Sequence, residues 1–312
     1  MVLTGPSIRV VLAAIRDAHD RILLTRRHAD AHQGGLWELP GGKLEPGESA
    51  FTALQREIHE ELGLCIATAE PLIRIAHAYP DRRVRLEVLE TRDWSGTPQS
   101  REGQPLRWVS AAELDTLEFP AANVPILQLP GRYLITPEPD NPTAFLAGLE
   151  RALSQGTRLV QLRLKRPPPA GLVTDAIGLA HQYGARILLN TGSLTPAPEA
   201  DGIHLTAAQL QTLTRRPLPA DKWVAASCHS VAELEQAAAV GLDFAVLGPV
   251  RATRTHPQAQ PLGWTGFAAA CERATLPVYA LGGMTPDAAI SARRRGGQGV
   301  AAIRGLWPEP VA

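Results

Sequence analysis

From Tyr133 onward one rhythm governs the chain: short apolar runs separated by helix-patterned segments. The runs are YLIT (133–136), LVQLRL (159–164), RILLN (186–190), GIHL (202–205), WVAASC (223–228), FAVLG (244–248), PVYALGG (277–283) and GVAAI (299–303). Helical periodicity is clearest over 143–154, 170–183, 231–240, 264–273 and 286–295. Continuous apolar runs suit a parallel sheet with both faces covered. Parallel neighbours need crossover connections, which the helices supply. Eight such units within residues 131–312 predict an α/β fold, a compact (β/α)8 barrel; an open doubly wound sheet is the alternative. The link after Asn190 is poor in helix signal, so one unit is irregular.

The preceding half lacks this rhythm. It reads as strand (8–16), turn (17–20), strand (21–26), loop, helix (about 49–62), strands (about 72–77 and 84–94), strand (106–109) and helix (about 111–117). That is a mixed α+β pattern. Between the halves, Pro120, Pro125, Pro130, Pro137, Pro139 and Pro142 forbid a long helix. The boundary falls near Pro130–Gly131, giving domains 1–130 and 131–312, in keeping with 312 residues at roughly 150 per domain.

Composition narrows the function classes. Apolar residues make up 45% and charged residues 20%, which excludes a disordered chain, a collagen or a disulfide scaffold. The net charge is 0, so no global basic field calls for nucleic acid. The halves differ: residues 1–130 carry 14 Lys+Arg against 18 Asp+Glu, and residues 131–312 carry 17 against 13. A cation suits the first half and an anion the second, although surface charge often serves only solubility. Cys65, Cys228 and Cys271 are odd in number, far apart and outside any CxxC, as reduced cytoplasmic thiols are. The Val10–Ile15 run is too short for a signal sequence, and no run reaches the ~18 apolar residues of a membrane helix. The expectation is a cytoplasmic protein with neither membrane nor nucleic acid as partner.

The sharpest local signal lies between Gly42 and Leu64. Ser49 can cap a helix on which Glu57, Glu60 and Glu61 stand at i, i+3 and i+4 and share one face. Three like charges there repel, and Arg56 alone cannot neutralise them. A divalent cation would. Carboxylate oxygens suit Mg²⁺, with Mn²⁺ as the alternative ion, because Mg²⁺ takes few protein ligands and shares phosphate oxygens with a substrate. Such an ion gathers charge in phosphoryl transfer. A lone ExxEE would more simply be a solvated acidic face.

The whole run is G-x5-E-x7-R-E-U-x-E-E-x-G-U, where U is aliphatic, with all nine specified positions filled. It resembles the Nudix box, the loop–helix motif of hydrolases that cleave a nucleoside diphosphate linked to another group. LLTRRHADAHQGGLWELPGGKLEPGE, YPDRR, SREGQPLRWVS and EFPAAN look like the MutT branch of that family, the oxidised-guanine nucleotide diphosphatases. The resemblance implies that Glu57, Glu60 and Glu61 are metal ligands or base, with Gly41 adding a backbone carbonyl and Glu102 an extra metal-binding carboxylate. It places Arg27 and Arg82 near phosphates and sugar, and Asn123 at the oxidised base, to which an amide offers a donor and an acceptor. Arg56 and Glu48 are implied to orient the loop and helix. Leu39 departs from the bacterial phenylalanine near the base. Without the resemblance, Asn123 is a turn residue, Arg27 and Arg82 are solvated cations, and Glu102 belongs to a hairpin. The implied substrate is a nucleoside triphosphate, oxidised dGTP, and the implied role is sanitation of the nucleotide pool and DNA repair. The rival is a general nucleoside diphosphate-X pyrophosphohydrolase linked to thiamin metabolism.

In the second half, barrel enzymes place chemistry at the C-terminal ends of strands. Alternation puts Gln161, Arg163 and Lys165 on one side of a strand, a donor row suited to phosphate. Gly282 and Gly283, followed by a helix opening at Thr285–Pro286, suit a phosphate at a helix N-terminus. VQLRLK, ADGIHL, ASCHS, VLGPVRATRT and ALGGMTPD resemble the thiamin phosphate synthase and thiazole tautomerase family. The synthase has metal-binding aspartates where this chain has Thr191 and Gln209, and a phosphate-binding lysine where it has His256. The resemblance therefore leans towards the tautomerase branch, whose SxHS histidine, here His229, is proposed to move a proton on a thiazole carboxylate. Three readings follow: a tautomerase-like enzyme, a module that binds a thiazole or other small phosphate, or an inactive remnant.

Overall fold

The structure is a computed structural model describing residues 7–28, 30, 33–78, 83–114, 116–120, 122–192, 194–253 and 258–309. The chain divides into two compact units, Met1–Leu129 and Pro130–Ala312.

The first unit runs β1 (Ile8–Ile15), β2 (Ile22–Arg26), β3 (Trp37–Glu38), β4 (Gly41–Lys43), α1 (Ala50–Leu62), β5 (Cys65–Ala78), β6 (Arg83–Ser95), β7 (Leu106–Val109), α2 (Ala111–Leu114) and α3 (Val124–Gln128). One sheet has the order β4-β1-β6-β5 and a smaller one β3-β2-β7. Strand β1 is covered on both faces, which explains its unbroken apolar run. Val11, Ala13 and Ile15 pack with Leu54, Ile58 and Leu62 of α1, whereas Leu12 and Ala14 join Ile22, Leu24, Ile73 and Val88. Ser49 caps α1 by accepting from the Thr52 N–H at 3.1 Å, and Gly63 ends it with φ 69°, a left-handed turn that glycine adopts without cost. Strands β3 and β4, both very short, carry no periodicity and were not legible in the sequence.

The second unit contains β8 (Arg132–Ile135), α4 (Pro142–Ser154), β9 (Leu159–Leu162), α5 (Leu172–Gln182), β10 (Arg186–Asn190), β11 (Gly202–Leu205), α6 (Ala207–Thr212), β12 (Trp223–Cys228), α7 (Val231–Ala239), β13 (Phe244–Leu247), α8 (Gly263–Arg273), β14 (Val278–Leu281), α9 (Ala288–Arg293) and β15 (Gly299–Ala302). The eight strands close into a parallel barrel in the order β10-β11-β12-β13-β14-β15-β8-β9, so the open doubly wound alternative does not hold. Among the described residues no helix joins β10 to β11, the irregular unit. Tyr133, Phe244 and Tyr279 fill the barrel interior with ring centroids 5.3–5.8 Å apart. Among the described residues no helix is long and apolar enough to cross a membrane.

Two expectations need correction. Strand β9 stops at Leu162, so Arg163 and Lys165 belong to the following loop and not to an alternating strand row. The helix after Gly283 opens at Ala288 and has only six residues, so the expected helix N-terminus at Thr285–Pro286 is not formed. Pro286 does not set the first helical turn here.

Candidate functional sites

In the first unit, α1 and the loop before it assemble the carboxylates. Arg56 is the hub. Its Nη1 donates to Glu57 at 2.8 Å and to Glu60 at 3.4 Å, its Nε and Nη2 to Glu48 at 3.2 and 2.9 Å, and Nη2 also to the Lys43 carbonyl at 3.1 Å. The loop is thereby tied to the helix. A Cβ at Gly42 would overlap the Glu57 carboxylate, so a side chain there would push that carboxylate aside. Glu57 is 16% exposed, but Glu60 is 58% exposed and stands towards solvent.

Glu61 is the electrostatic centre. Burial pushes its carboxyl up to about 8, the Gly41 N–H opposes this by donating at 3.2 Å, and the charges of Glu102, Glu57 and Glu38 raise it further. Four glutamates from α1, β3 and the loop before β7 therefore share one neighbourhood. Glu102 is held by its backbone: its N–H donates to Gln104 Oε1 at 3.2 Å, and its carbonyl meets His28 Nε2 at 3.1 Å. Gln104, buried in that loop, was missed by sequence reading, as was Glu38. Asn123 is 3% exposed at the start of α3; its side chain makes no capping bond, and its N–H donates to the Pro120 carbonyl at 2.8 Å and closes a turn. Arg27 donates from Nη1 to Glu38 at 2.6 Å and is therefore not a free solvated cation. Arg82 lies outside the described residues.

Among the described residues no three His, Cys, Asp or Glu side chains are spaced to enclose a metal ion. The donor chemistry nevertheless fits one. All donors are hard oxygens, and a partly buried carboxylate cluster with a proton-holding member is what a divalent cation relieves.

The second unit has a cavity of about 750 Å³ beyond the strand ends. Gln161, Arg163, Lys165, His229, Gly282 and Gly283 all line it, together with Ser227 and Arg304. His229 faces it from the turn between β12 and α7, and its Nδ1 lies 2.7 Å from the Gly248 carbonyl. A carbonyl only accepts, so Nδ1 carries a proton, and Nε2 is the nitrogen of this ring left to exchange one. Gly282 and Gly283 have φ 102° and 63°, which lets the backbone turn sharply after β14. Cys228 also lines the cavity, but burial followed by the Glu233 charge pushes its thiol up to about 12, which rules out a thiolate nucleophile near neutral pH.

Sequence reading missed a buried polar chain beneath this cavity. Asn190 Nδ2 donates to Gln161 Oε1 at 3.5 Å, Gln161 Nε2 donates to the Tyr133 hydroxyl at 3.5 Å, and Tyr133 meets His204 Nδ1 at 3.1 Å. His204 Nε2 then lies 2.9 Å from Ser227 Oγ. Burial pulls His204 down to about 3, so its ring is neutral. At the side, Thr191 Oγ1 donates to Gln209 Oε1 at 2.9 Å, and Gln209 Nε2 donates back to the Thr191 carbonyl at 3.1 Å. These two residues satisfy each other and present no carboxylate, so they do not fit a metal ion. His256 lies outside the described residues.

A carboxylate helix on a mixed sheet, joined in sequence to a parallel barrel with an anion-suited cavity, defines a two-domain protein of the hydrolase-plus-barrel class. The sequence pattern of the family described as "NUDIX domain" matches residues 11–129, and that described as "Thiamine monophosphate synthase" matches residues 132–306. The chain belongs to both families, its first unit being a Nudix pyrophosphohydrolase domain and its second a thiamine phosphate synthase-like barrel. It is 36% identical over 120 residues to the 8-oxo-dGTP diphosphatase of Escherichia coli, covering 38% of this chain and 93% of that relative. It is 38% identical over 118 residues to the CTP pyrophosphohydrolase of the same organism, covering 38% and 87%. The barrel is 34% identical over 181 residues to a putative thiamine-phosphate synthase 2 of Aquifex aeolicus, covering 57% and 97%.

Proposed function

We propose that the first unit hydrolyses oxidised purine nucleoside triphosphates, 8-oxo-dGTP foremost, to the monophosphate and pyrophosphate. The observation that carries this is the half-buried Glu61, whose carboxyl feels the charges of Glu102, Glu57 and Glu38. Glu57, Glu61 and Glu102 would hold Mg²⁺ or Mn²⁺, which supplies charge neutralisation to the phosphate oxygens. Arg56 fixes Glu57 and Glu48, and Gly42 gives Glu57 room. Water adds to phosphorus, a carboxylate of α1 takes its proton, and the bond to the pyrophosphate oxygen breaks. Asn123, buried beside Ala122 and Ile126, would read the base edge. The likeness to the Escherichia coli 8-oxo-dGTP diphosphatase supports this substrate, and the similar likeness to the CTP pyrophosphohydrolase makes CTP its rival. Oxidised and ordinary dGTP competing in one assay test it: kcat/KM is expected to favour the oxidised form, and equal values refute the sanitation role.

For the barrel, we infer a metal-independent site for a small anionic phosphate, with His229 Nε2 as proton carrier. The Nδ1–Gly248 bond supports that role. Arg163, Lys165 and Arg304 supply the cationic edge. The assay is proton exchange on a thiazole carboxylate phosphate with chelator present. Binding without exchange reduces the barrel to a ligand-binding module. The two halves, 1–130 and 131–312, act as separate domains in this reading.

A further inference from the structure

Glu38 is absent from the helix motif, yet two contacts tie it to the same chemistry. Its Oε2 accepts from Arg27 Nη1 at 2.6 Å, with the two side chains only 22% and 29% exposed. Its charge is also felt by Glu61, which places it beside the carboxylate cluster. A third observation concerns Arg27 itself: its Nε is buried and, among the described residues, has no hydrogen-bond partner. A buried guanidinium donor without an acceptor is costly, so the bond from Nη1 to Glu38 is what offsets the burial and fixes the fork.

The chemistry of the pair follows from its place. A cluster of glutamates repels a polyphosphate unless a cation flanks it. Arginine is a flexible stem with a planar fork, and it binds phosphate well only when the fork is held. Strand β3 pairs antiparallel with β2, matching Trp37 to Arg26 and Glu38 to Thr25, which brings Glu38 alongside the strand that leads into Arg27. We propose that Glu38 is a positioning residue for nucleotide binding: by taking one Nη1 donor, it holds the Arg27 fork beside the carboxylate cluster so that the remaining Nη donors meet phosphate oxygens of a nucleoside triphosphate. Glu38 touches neither the reacting phosphorus nor the attacking water in this role. The role rests on the pyrophosphohydrolase reading of the first unit.

The test is a double-variant cycle in the full chain, read by turnover of oxidised dGTP with Mg²⁺ and by calorimetric binding of a non-hydrolysable α,β-methylene nucleoside triphosphate. Glu38→Gln preserves volume and removes the charge. It is expected to raise KM and the analogue Kd about tenfold and leave kcat within about threefold. Arg27→Ala is expected to do the same, and the two together are expected to do no more than either alone. Arg27→Lys, which keeps the charge but loses the fork, should recover only part of the affinity. Multiplying effects in the double variant overturn the proposal. So does a fall in kcat at constant KM, which would make Glu38 a member of the metal cluster. A loss that depends on which base the nucleotide carries overturns it as well. A wild-type chain that binds the analogue but turns over no nucleoside triphosphate rejects the pyrophosphohydrolase reading, and the binding cycle still decides the role of Glu38. Failure of the wild type to bind the analogue overturns both.

Discussion

The two sites proposed to bind phosphate differ in how they carry charge. In the first unit, charge is concentrated: Glu57 and Glu61 on α1 are joined by Glu38 and Glu102, and burial, with the charges of those neighbours adding to it, pushes Glu61 up to about 8. In the barrel, charge is kept at the edge and the interior is neutral. His204 is held uncharged between Tyr133 and Ser227, and Thr191 and Gln209 bond to each other where metal-binding carboxylates would otherwise stand. A site of the first kind is incomplete without a cation. In a site of the second kind the buried polar groups from Asn190 through Gln161, Tyr133 and His204 to Ser227 are hydrogen-bonded to one another, and the Thr191–Gln209 pair presents no carboxylate to an ion. The difference follows from the reactions proposed. Breaking a phosphoanhydride needs charge gathered on oxygens, whereas moving a proton on a bound ring needs only an aimed base.

The largest effect expected from this contrast is at Glu57. Glu57→Gln should reduce nucleotide hydrolysis by about 10³-fold. Binding of phosphate ligands in the barrel should stay unchanged, as should the unfolding temperature within a few degrees. Near-normal hydrolysis by this variant would remove Glu57 from the list of ligands or base. Chelation should reproduce the loss in the first unit and leave the barrel untouched; barrel activity lost with the metal would break the comparison.

Next in size is an opposite response to pH. Glu61 has its folded value raised from 4.5 to about 8, so the folded state binds the extra proton in that window. Stability of the metal-free first unit therefore falls as pH rises from about 4.5 to 8. His204 has its folded value lowered from 6.5 to about 3, so the unfolded state binds the extra proton. Stability of the barrel therefore falls as pH drops from 6.5 towards 3. Calorimetry of the whole chain with chelator should show two transitions moving in opposite directions with pH, by about 5 °C or more across each window. Glu61→Gln should flatten the first response only. Parallel movement of the two transitions would refute the assigned causes.

The smallest effect sharpens the contrast at one point. Thr191→Asp with Gln209→Asp replaces a bonded neutral pair by two carboxylates at hydrogen-bond distance. Alone they should repel and lower the barrel transition by a few degrees, and Mg²⁺ should restore it. No Mg²⁺ response would mean that further ligands are missing besides these two.

How much was legible in the chain can be judged at particular residues. The box from Gly42 to Leu64 is local: helical spacing places Glu57 and Glu61, and Ser49 and Gly63 end the helix, without help from distant residues. The eight barrel strands were legible for a related reason, since burial on both faces leaves continuous apolar runs such as Phe244–Leu247. Lys165 and Arg163 were read as strand residues, because the run continues past the point where hydrogen bonding to β10 stops at Leu162. Asn123 reads as a loop residue, because Pro120, Pro125 and Pro130 around it hide the five-residue helix α3 that it precedes.

By itself, then, the sequence determined what depends on near neighbours: the carboxylate face of α1, its caps, and the alternation that makes a parallel sheet. Tertiary structure alone decided what depends on residues far apart in the chain. It set Glu38 and Glu102 beside Glu61, 23 and 41 positions away by number (61 − 38 and 102 − 61), through β3 and the loop held by Gln104. It closed the eight strands by pairing β15 with β8, linked Tyr133 to His204 across the barrel, and brought Thr191 against Gln209. Periodicity reports which face of an element is dry. It carries no information on which distant element will supply the neighbour, and the electrostatics of both sites are set by those neighbours.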